Sequence, residues 1–184
     1  MKAHTFVVIV EDLPGVLNRI SSLFRRRGFN IESLTVGHTE RPGVSRMTIV
    51  VVTDEAGAER FEAHLYKLVN VISVADITAT PAVYRDLAMI KVVAPQERRP
   101  EIVNLVDVFR ARIVDLAPDS MTIEITGGEE KIDGLVDVLR PYGVIEMART
   151  GRLAMTRATR SSGPAGPPLT GAEHHHDPQV SYSV

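Results

Sequence analysis

The sequence predicts an α+β protein made of two ferredoxin-like domains, each in the order βαββαβ. Three observations predict it. Short β-branched runs alternate with apolar residues at helical spacing. That succession of elements occurs twice along the chain. The second copy starts just after Thr80-Pro81, so both copies have similar length. In this order the strands pair antiparallel and both helices cover one face of the sheet. The expected limits are 1–79 for the first domain, 80–86 for a linker, 87–157 for the second domain and 158–184 for a disordered tail. Domains of about 75 residues lie near the small end of independent stability, so mutual packing or oligomerisation is expected.

The first strand is Thr5 to Val10, an unbroken β-branched and apolar run. Glu11-Asp12-Leu13-Pro14-Gly15 breaks it. Val16, Leu17, Ile20, Leu23 and Phe24 then recur at helical spacing. Arg25, Arg26 and Arg27 suit the negative end of that helix, and Gly28 can take the left-handed position that closes it. Residues 30–38 and 44–53 read as strands joined by the turn Arg41-Pro42-Gly43. Phe61, Leu65 and Leu68 mark a second helix, and Val71 to Thr78 a fourth strand.

In the second copy Leu87 to Val93 is the first strand, and Pro100 sits in the first turn of a helix carrying Ile102, Val106 and Phe109. Ile113 to Leu116 and Met121 to Thr126 are strands joined through Pro118-Asp119. Met121, Ile123 and Ile125 alternate with Thr122, Glu124 and Thr126, which makes the latter strand half-buried. Ile132, Leu135, Val136 and Leu139 form an amphipathic helix, and Val144 to Ala148 closes the copy. Beyond Arg157, Ser161 to Pro168 cannot bury a core and reads as disordered. His174, His175 and His176 can bind a metal in principle, but such a run is more often part of a solvated tail.

Composition narrows the function. The chain has 184 residues, 44% hydrophobic and 24% charged, with a formal charge of −2 and no cysteine. Disulfides, thiolate metal sites and a cysteine nucleophile are excluded. No apolar run is long enough to span a membrane. The N-terminus lacks the features of a secretory signal. Basic and acidic residues are interspersed, unlike the patch of a nucleic-acid binder. A cytoplasmic protein with a small-molecule or protein partner is expected. Gly127-Gly128 lacks the Lys-Ser/Thr of a phosphate loop. No catalytic constellation stands out, which favours a binding module.

The loop Glu11 to Gly15 is the most informative. It precedes a helix N-terminus, where free N–H groups and the positive dipole end favour a carboxylate. Gly15 lets a ligand approach the backbone closely, and Asp12 can face an ammonium group. Those are the two ends of an α-amino acid. The alternative is that Asp12 caps the helix, which on the local sequence is the commoner use of such a residue. The strand beginning Asn30-Ile31 falls on a sheet edge in this topology. Its apolar residues need a partner. Two such edges paired about a two-fold axis give an isologous dimer. Asn30 of one chain then approaches the Asp12–Gly15 loop of the other. Equally, Asn30 is a plain turn residue after Gly28-Phe29.

Several stretches resemble one family closely. They are Pro14-Gly15-Val16-Leu17-Asn18-Arg19, GFNIESLTV (28–36) and SRMTIVV (45–51) in the first copy, with YRDLAMIKV (84–92), FRARIVDL (109–116) and VIEMARTG (144–151) in the second. Together they resemble acetolactate synthase small subunits over about residues 3–157. The resemblance implies an N-terminal ACT domain, a C-terminal ACT-like domain and a homodimer formed through the ACT domains. It implies a non-catalytic regulatory subunit in branched-chain amino acid biosynthesis. Such a subunit activates a large catalytic subunit and confers feedback inhibition by valine. The valine-binding residues it implies are Asp12, Leu13, Pro14, Gly15, Val16 and Leu17 of one chain, with Asn18 less firmly carried over, and Asn30 and Ile31 of the other. Asn is also common in the family at the place of Asp12. No cofactor is implied in this chain; thiamine diphosphate, magnesium and FAD belong to the catalytic subunit. The alternative is a stand-alone amino-acid-binding regulator of another enzyme.

Two other classes share the topology. An RNA-recognition module needs exposed aromatics on its central strands, where only Phe6 is available. A small acylphosphatase-type hydrolase needs an anion-binding arginine loop after the first strand, where Glu11-Asp12 stands.

Overall fold

The structure, a computed structural model, describes residues 1–158. The first domain comprises β1 (Lys2–Glu11), α1 (Val16–Arg27), β2 (Ile31–His38), β3 (Val44–Thr53), α2 (Glu55–Leu65) and β4 (Val71–Asp76). Its strands lie in the order β2-β3-β1-β4. The second comprises β5 (Ala82–Val93), α3 (Arg99–Val108), β6 (Arg112–Leu116), β7 (Ser120–Gly127), α4 (Glu129–Leu139) and β8 (Val144–Arg149), in the order β6-β7-β5-β8. Every pairing is antiparallel. The doubled βαββαβ fold is therefore as expected, and β2 lies on an edge. The tail from 159 onward, with His174, His175 and His176, lies outside the described residues.

Each domain builds its core between sheet and helices. Val16, Ile20, Leu23 and Phe24 are the buried residues of α1. Their spacing puts them on one stripe. They meet Phe6, Val8 and Val10 of β1 and Phe61 of α2 in one cluster. Phe61 is its hub, with ring centroids 4.5 Å from Phe6, 4.6 Å from Phe24 and 5.1 Å from Phe29. Each such fully buried side chain contributes roughly 1.5–3 kcal/mol. In the second domain Ile90, Ile102, Ile123, Ile132 and Leu135 form the equivalent cluster. Gly28 closes α1 at φ 70°, as the sequence implies.

Three local features differ from expectation. α2 ends at Leu65, so Leu68 lies past it in a tight turn, where its N–H donates to the Leu65 carbonyl. β4 ends at Asp76 because its carboxylate accepts from the Thr78 N–H, 2.9 Å away, and from the Thr78 hydroxyl. That Asx-type turn pulls the chain out of the sheet. The segment 80–86 is mostly strand: β5 starts at Ala82 and runs unbroken into the second sheet.

The sequence reading also lacks one strand. β9 (Leu153–Thr156) pairs with the start of β5, from Ala82↔Thr156 to Arg85↔Leu153. The resulting two-stranded ribbon covers the face of the first sheet that the helices leave open. There Val7, Ile77 and Ala154 form a third buried cluster, with Ile9, Ala82 and Tyr84 packed against it. This explains why β1 does not alternate. Phe6, Val8 and Val10 face the helices while Val7 and Ile9 face the paired β5 and β9, so both faces are covered.

Candidate functional site

The loop between β1 and α1 is built from its backbone outward. The Glu11 N–H donates to the Asn70 carbonyl at 2.9 Å and the Asp12 N–H to the Gly43 carbonyl at 2.8 Å, so two neighbouring loops hold its base. Side chains tighten the hold. Asn70 Nδ2 donates to Glu11 Oε2 at 2.6 Å, and Arg19 Nη1 donates to Asn70 Oδ1 at 2.7 Å. Leu13, Pro14 and Gly15 then turn the chain into the helix. Gly15 is the N-cap at φ 86°, a left-handed conformation that favours glycine, and no side chain caps α1.

Asp12 is therefore not a helix cap. Its carboxylate meets His38 Nδ1 at 3.0 Å, at the far end of β2. The helix start is left open. The Val16 N–H reaches back to the Leu13 carbonyl, whereas those of Leu17 and Asn18 have no protein acceptor among the described residues. Two free N–H groups at a positive dipole end, beside a carboxylate, can receive an anionic and a cationic group together. Leu13 and Leu17, 54% and 43% exposed, flank them with apolar surface. Val16 faces inward, 5% exposed, so its side chain belongs to the core. Asn18 is exposed.

Asn30 and Ile31 lie elsewhere. Asn30 is exposed, and its amide donates to Glu32 at 2.8 Å. Register fixes the separation. Ile31 pairs with Val51 and His38 with Ser45 on β3, while Glu11 pairs with Val44. The Asp12 loop therefore sits at the His38 end of β2 and Asn30 at the opposite end. Eight residues of strand separate Asn30 from His38, roughly 25 Å. The chain thus does not gather the nine sequence-predicted residues: Asp12 to Asn18 form one group, and Asn30 and Ile31 another. Sequence reasoning missed His38 and Asn70, which hold the loop from sites distant along the chain. A histidine at the last position of a strand and an asparagine in a turn give no periodic signal.

Beside β2 lies a cleft of about 600 Å³ between the domains, lined among others by Glu32, Ser33, Asp86, Glu129, Arg149 and Arg152. Its arginines are paired with carboxylates. Arg149 donates to Asp86 at 2.8 Å and to Asp133 at 2.7 Å. Burial alone lowers the Arg149 pKa, but its hydrogen bonds to Asp86 and Asp133 outweigh that and raise it above the ordinary arginine value. Among the described residues no group of three or more His, Cys, Asp or Glu is placed to hold a metal ion. No helix there is long and apolar enough to cross a membrane.

Comparison with known proteins agrees with this architecture. A family model described as the AHAS small subunit-like ACT domain matches residues 6–73, and one described as the small subunit of acetolactate synthase matches residues 85–158. A protein of Archaeoglobus fulgidus described as a probable acetolactate synthase small subunit is 54% identical over 157 residues, covering 85% of this chain and 98% of that protein. The acetolactate synthase small subunit of Mycolicibacterium smegmatis is 48% identical, covering 88% of this chain and 95% of that protein. The crystal structure of the acetolactate synthase small subunit from Thermotoga maritima superposes with a TM-score of 0.81 at 40% identity, covering 86% of this chain and 99% of that one. From these matches and the doubled βαββαβ fold that carries them, the chain belongs to the acetolactate synthase small-subunit family, and its first domain is an ACT domain.

Proposed function

We propose that the chain is the regulatory subunit of an acetolactate synthase: it activates a separate catalytic subunit and transmits feedback inhibition by valine. The reaction, with its thiamine diphosphate, magnesium and FAD, belongs to that catalytic subunit. This chain's part is to sense the amino acid and to favour one arrangement of its partner over another.

One observation carries the reading. The Asp12–Leu17 loop and Asn30 lie at opposite ends of the exposed edge strand β2. Two-fold antiparallel pairing of β2 with a second copy exchanges those ends. Centred near Leu34, it sets each Asn30 beside the partner's loop and gives two equivalent sites per dimer. In each, the Leu17 and Asn18 N–H groups receive the valine carboxylate, Asp12 its ammonium, and Leu13 and Leu17 its side chain. Asn30 and Ile31 close the site from the other copy.

Gly15 supplies the test. A β-carbon there meets nothing within 4 Å, so the residue can be replaced without a clash. Its left-handed backbone costs a non-glycine residue about 1–2 kcal/mol. Gly15→Ala carries that strain alone; Gly15→Asp adds a negative charge at the carboxylate seat. The expected result is that Gly15→Asp activates the catalytic subunit as the parent does but binds no valine by calorimetry, whereas Gly15→Ala still binds it. Equal valine affinity in the parent and Gly15→Asp would place the site elsewhere.

A further inference from the structure

The turn joining β8 to β9 makes unusually close contact with β2. A β-carbon at Gly151 would stand 2.6 Å from the Leu34 carbonyl oxygen and 2.7 Å from Thr35 Oγ1, so only glycine fits without displacing the strand. The next residue continues the contact: the Arg152 N–H donates to Ser33 Oγ at 2.7 Å. The Arg152 side chain then leaves β2 for three other elements. It donates to Glu129 Oε2 on the first residue of α4 at 2.6 Å and to Thr5 Oγ1 on β1 at 3.3 Å, and it lies 5.4 Å over the Tyr84 ring on β5. One residue thus touches the edge strand of the first domain and the start of a helix in the second.

Two features make this junction able to shift. The pairing of β2 with β3 breaks register between Ile31 and Ser33, which leaves a bulge at Glu32. Bulges re-aim a strand locally, and this one separates the Asn30–Ile31 end of β2 from the stretch under Gly151–Arg152. The interdomain cleft of about 600 Å³ runs beside both Glu32 and Arg152, so close packing does not lock the turn on that side.

We infer that the Gly151–Arg152 turn couples the β2 edge to the second domain, with Arg152 as the positioning residue that passes a displacement of β2 to Glu129 and α4. Resting on the sensing role proposed above, this assigns the route by which occupancy at Asn30–Ile31 reaches the second domain. Arg152 does not touch the ligand. Its part is to make one arrangement of β2 compatible with one arrangement of α4, which is the differential contact that coupling between distant sites requires.

The test uses the complex of the full chain with its catalytic subunit, comparing the parent with Arg152→Ala and Glu129→Ala. The Glu129 side chain is 56% exposed, so Glu129→Ala removes the acceptor with little threat to folding. Hydrogen–deuterium exchange with and without valine is read beside the rate. In the parent, valine is expected to slow exchange at 11–18 and 30–36, and also at 126–133 and 149–153. In both variants protection stays within the first two segments, valine still binds and the complex is still activated, while inhibition at saturating valine falls about fivefold or more. Variants inhibited like the parent, with protection still reaching 126–133, overturn the coupling role alone. A parent that binds no branched-chain amino acid overturns the sensing role, and this inference with it.

Discussion

Asp12 owes its orientation to the residue three places on. Because Gly15 takes the left-handed N-cap conformation, the helix begins too far along for the Asp12 carboxylate to cap it, and His38 becomes its neighbour. That outcome was only half legible in the sequence. Leu13-Pro14-Gly15 announced a turn before a helix, yet the local pattern favoured capping by Asp12 over an outward-facing role. What separated them was a histidine on another strand. Asp76 is a second residue whose setting is non-local. Burial pushes its carboxyl pKa up, but the Thr78 hydroxyl, the Thr78 N–H and the His4 ring outweigh that and hold it below the ordinary aspartate value. His4 Nδ1 lies 2.8 Å away, on a side chain 1% exposed. A lowered folded-state pKa stabilises in full above the usual aspartate range, and the gain is lost as pH falls through the lowered value. Asp76→Asn is therefore expected to cost about 1 kcal/mol near neutral pH. It should also flatten the acid limb of the stability–pH curve, which urea melts at several pH values would reveal. A cost that stays the same down to the acid limit would contradict the assignment.

At the scale of elements, periodicity read most of the chain because most elements bury one face only. α1 and β7 show their buried stripes in sequence, and the structure buries Val16, Ile20, Leu23 and Phe24 and Met121, Ile123 and Ile125, leaving only Leu17 of the expected α1 stripe exposed. The first half of β5 and the whole of β9 escaped for a physical reason. The first half of β5 pairs only with a four-residue strand from the far end of the chain, and Leu153-Ala154-Met155-Thr156 is too short to show a period. The edge strand β2 carries the interface prediction. With pairing centred on Leu34, Val36 of one copy opposes Glu32 of the other. Val36 is 42% exposed in the single chain, so replacing it leaves the core intact. Val36→Glu then sets like charges across the interface twice per dimer, each destabilising by about 0.2–1 kcal/mol. Sedimentation should show a weaker dimer for Val36→Glu, and recovery when Glu32→Lys is added. Weakening without recovery would mean that the two strands pair in another register or not at all.

Across the whole molecule, the two domains are joined by more than their connection. β5 runs from one into the other, the paired β5 and β9 fill the open face of the first sheet, and Arg46 Nη2 donates to the Ala154 carbonyl at 2.7 Å. A shift at the edge of the first sheet therefore meets the second domain directly, which suits the sensing role proposed above. None of these contacts could be read from the repeat pattern, since that pattern describes each domain alone. The most direct test of the central claim is the rate of acetolactate formation by the cognate catalytic subunit, measured with and without this chain across a valine titration. The chain is expected to raise the rate, and saturating valine to lower it again. A rate that this chain leaves unchanged at every valine concentration, with complex formation verified, would contradict that claim.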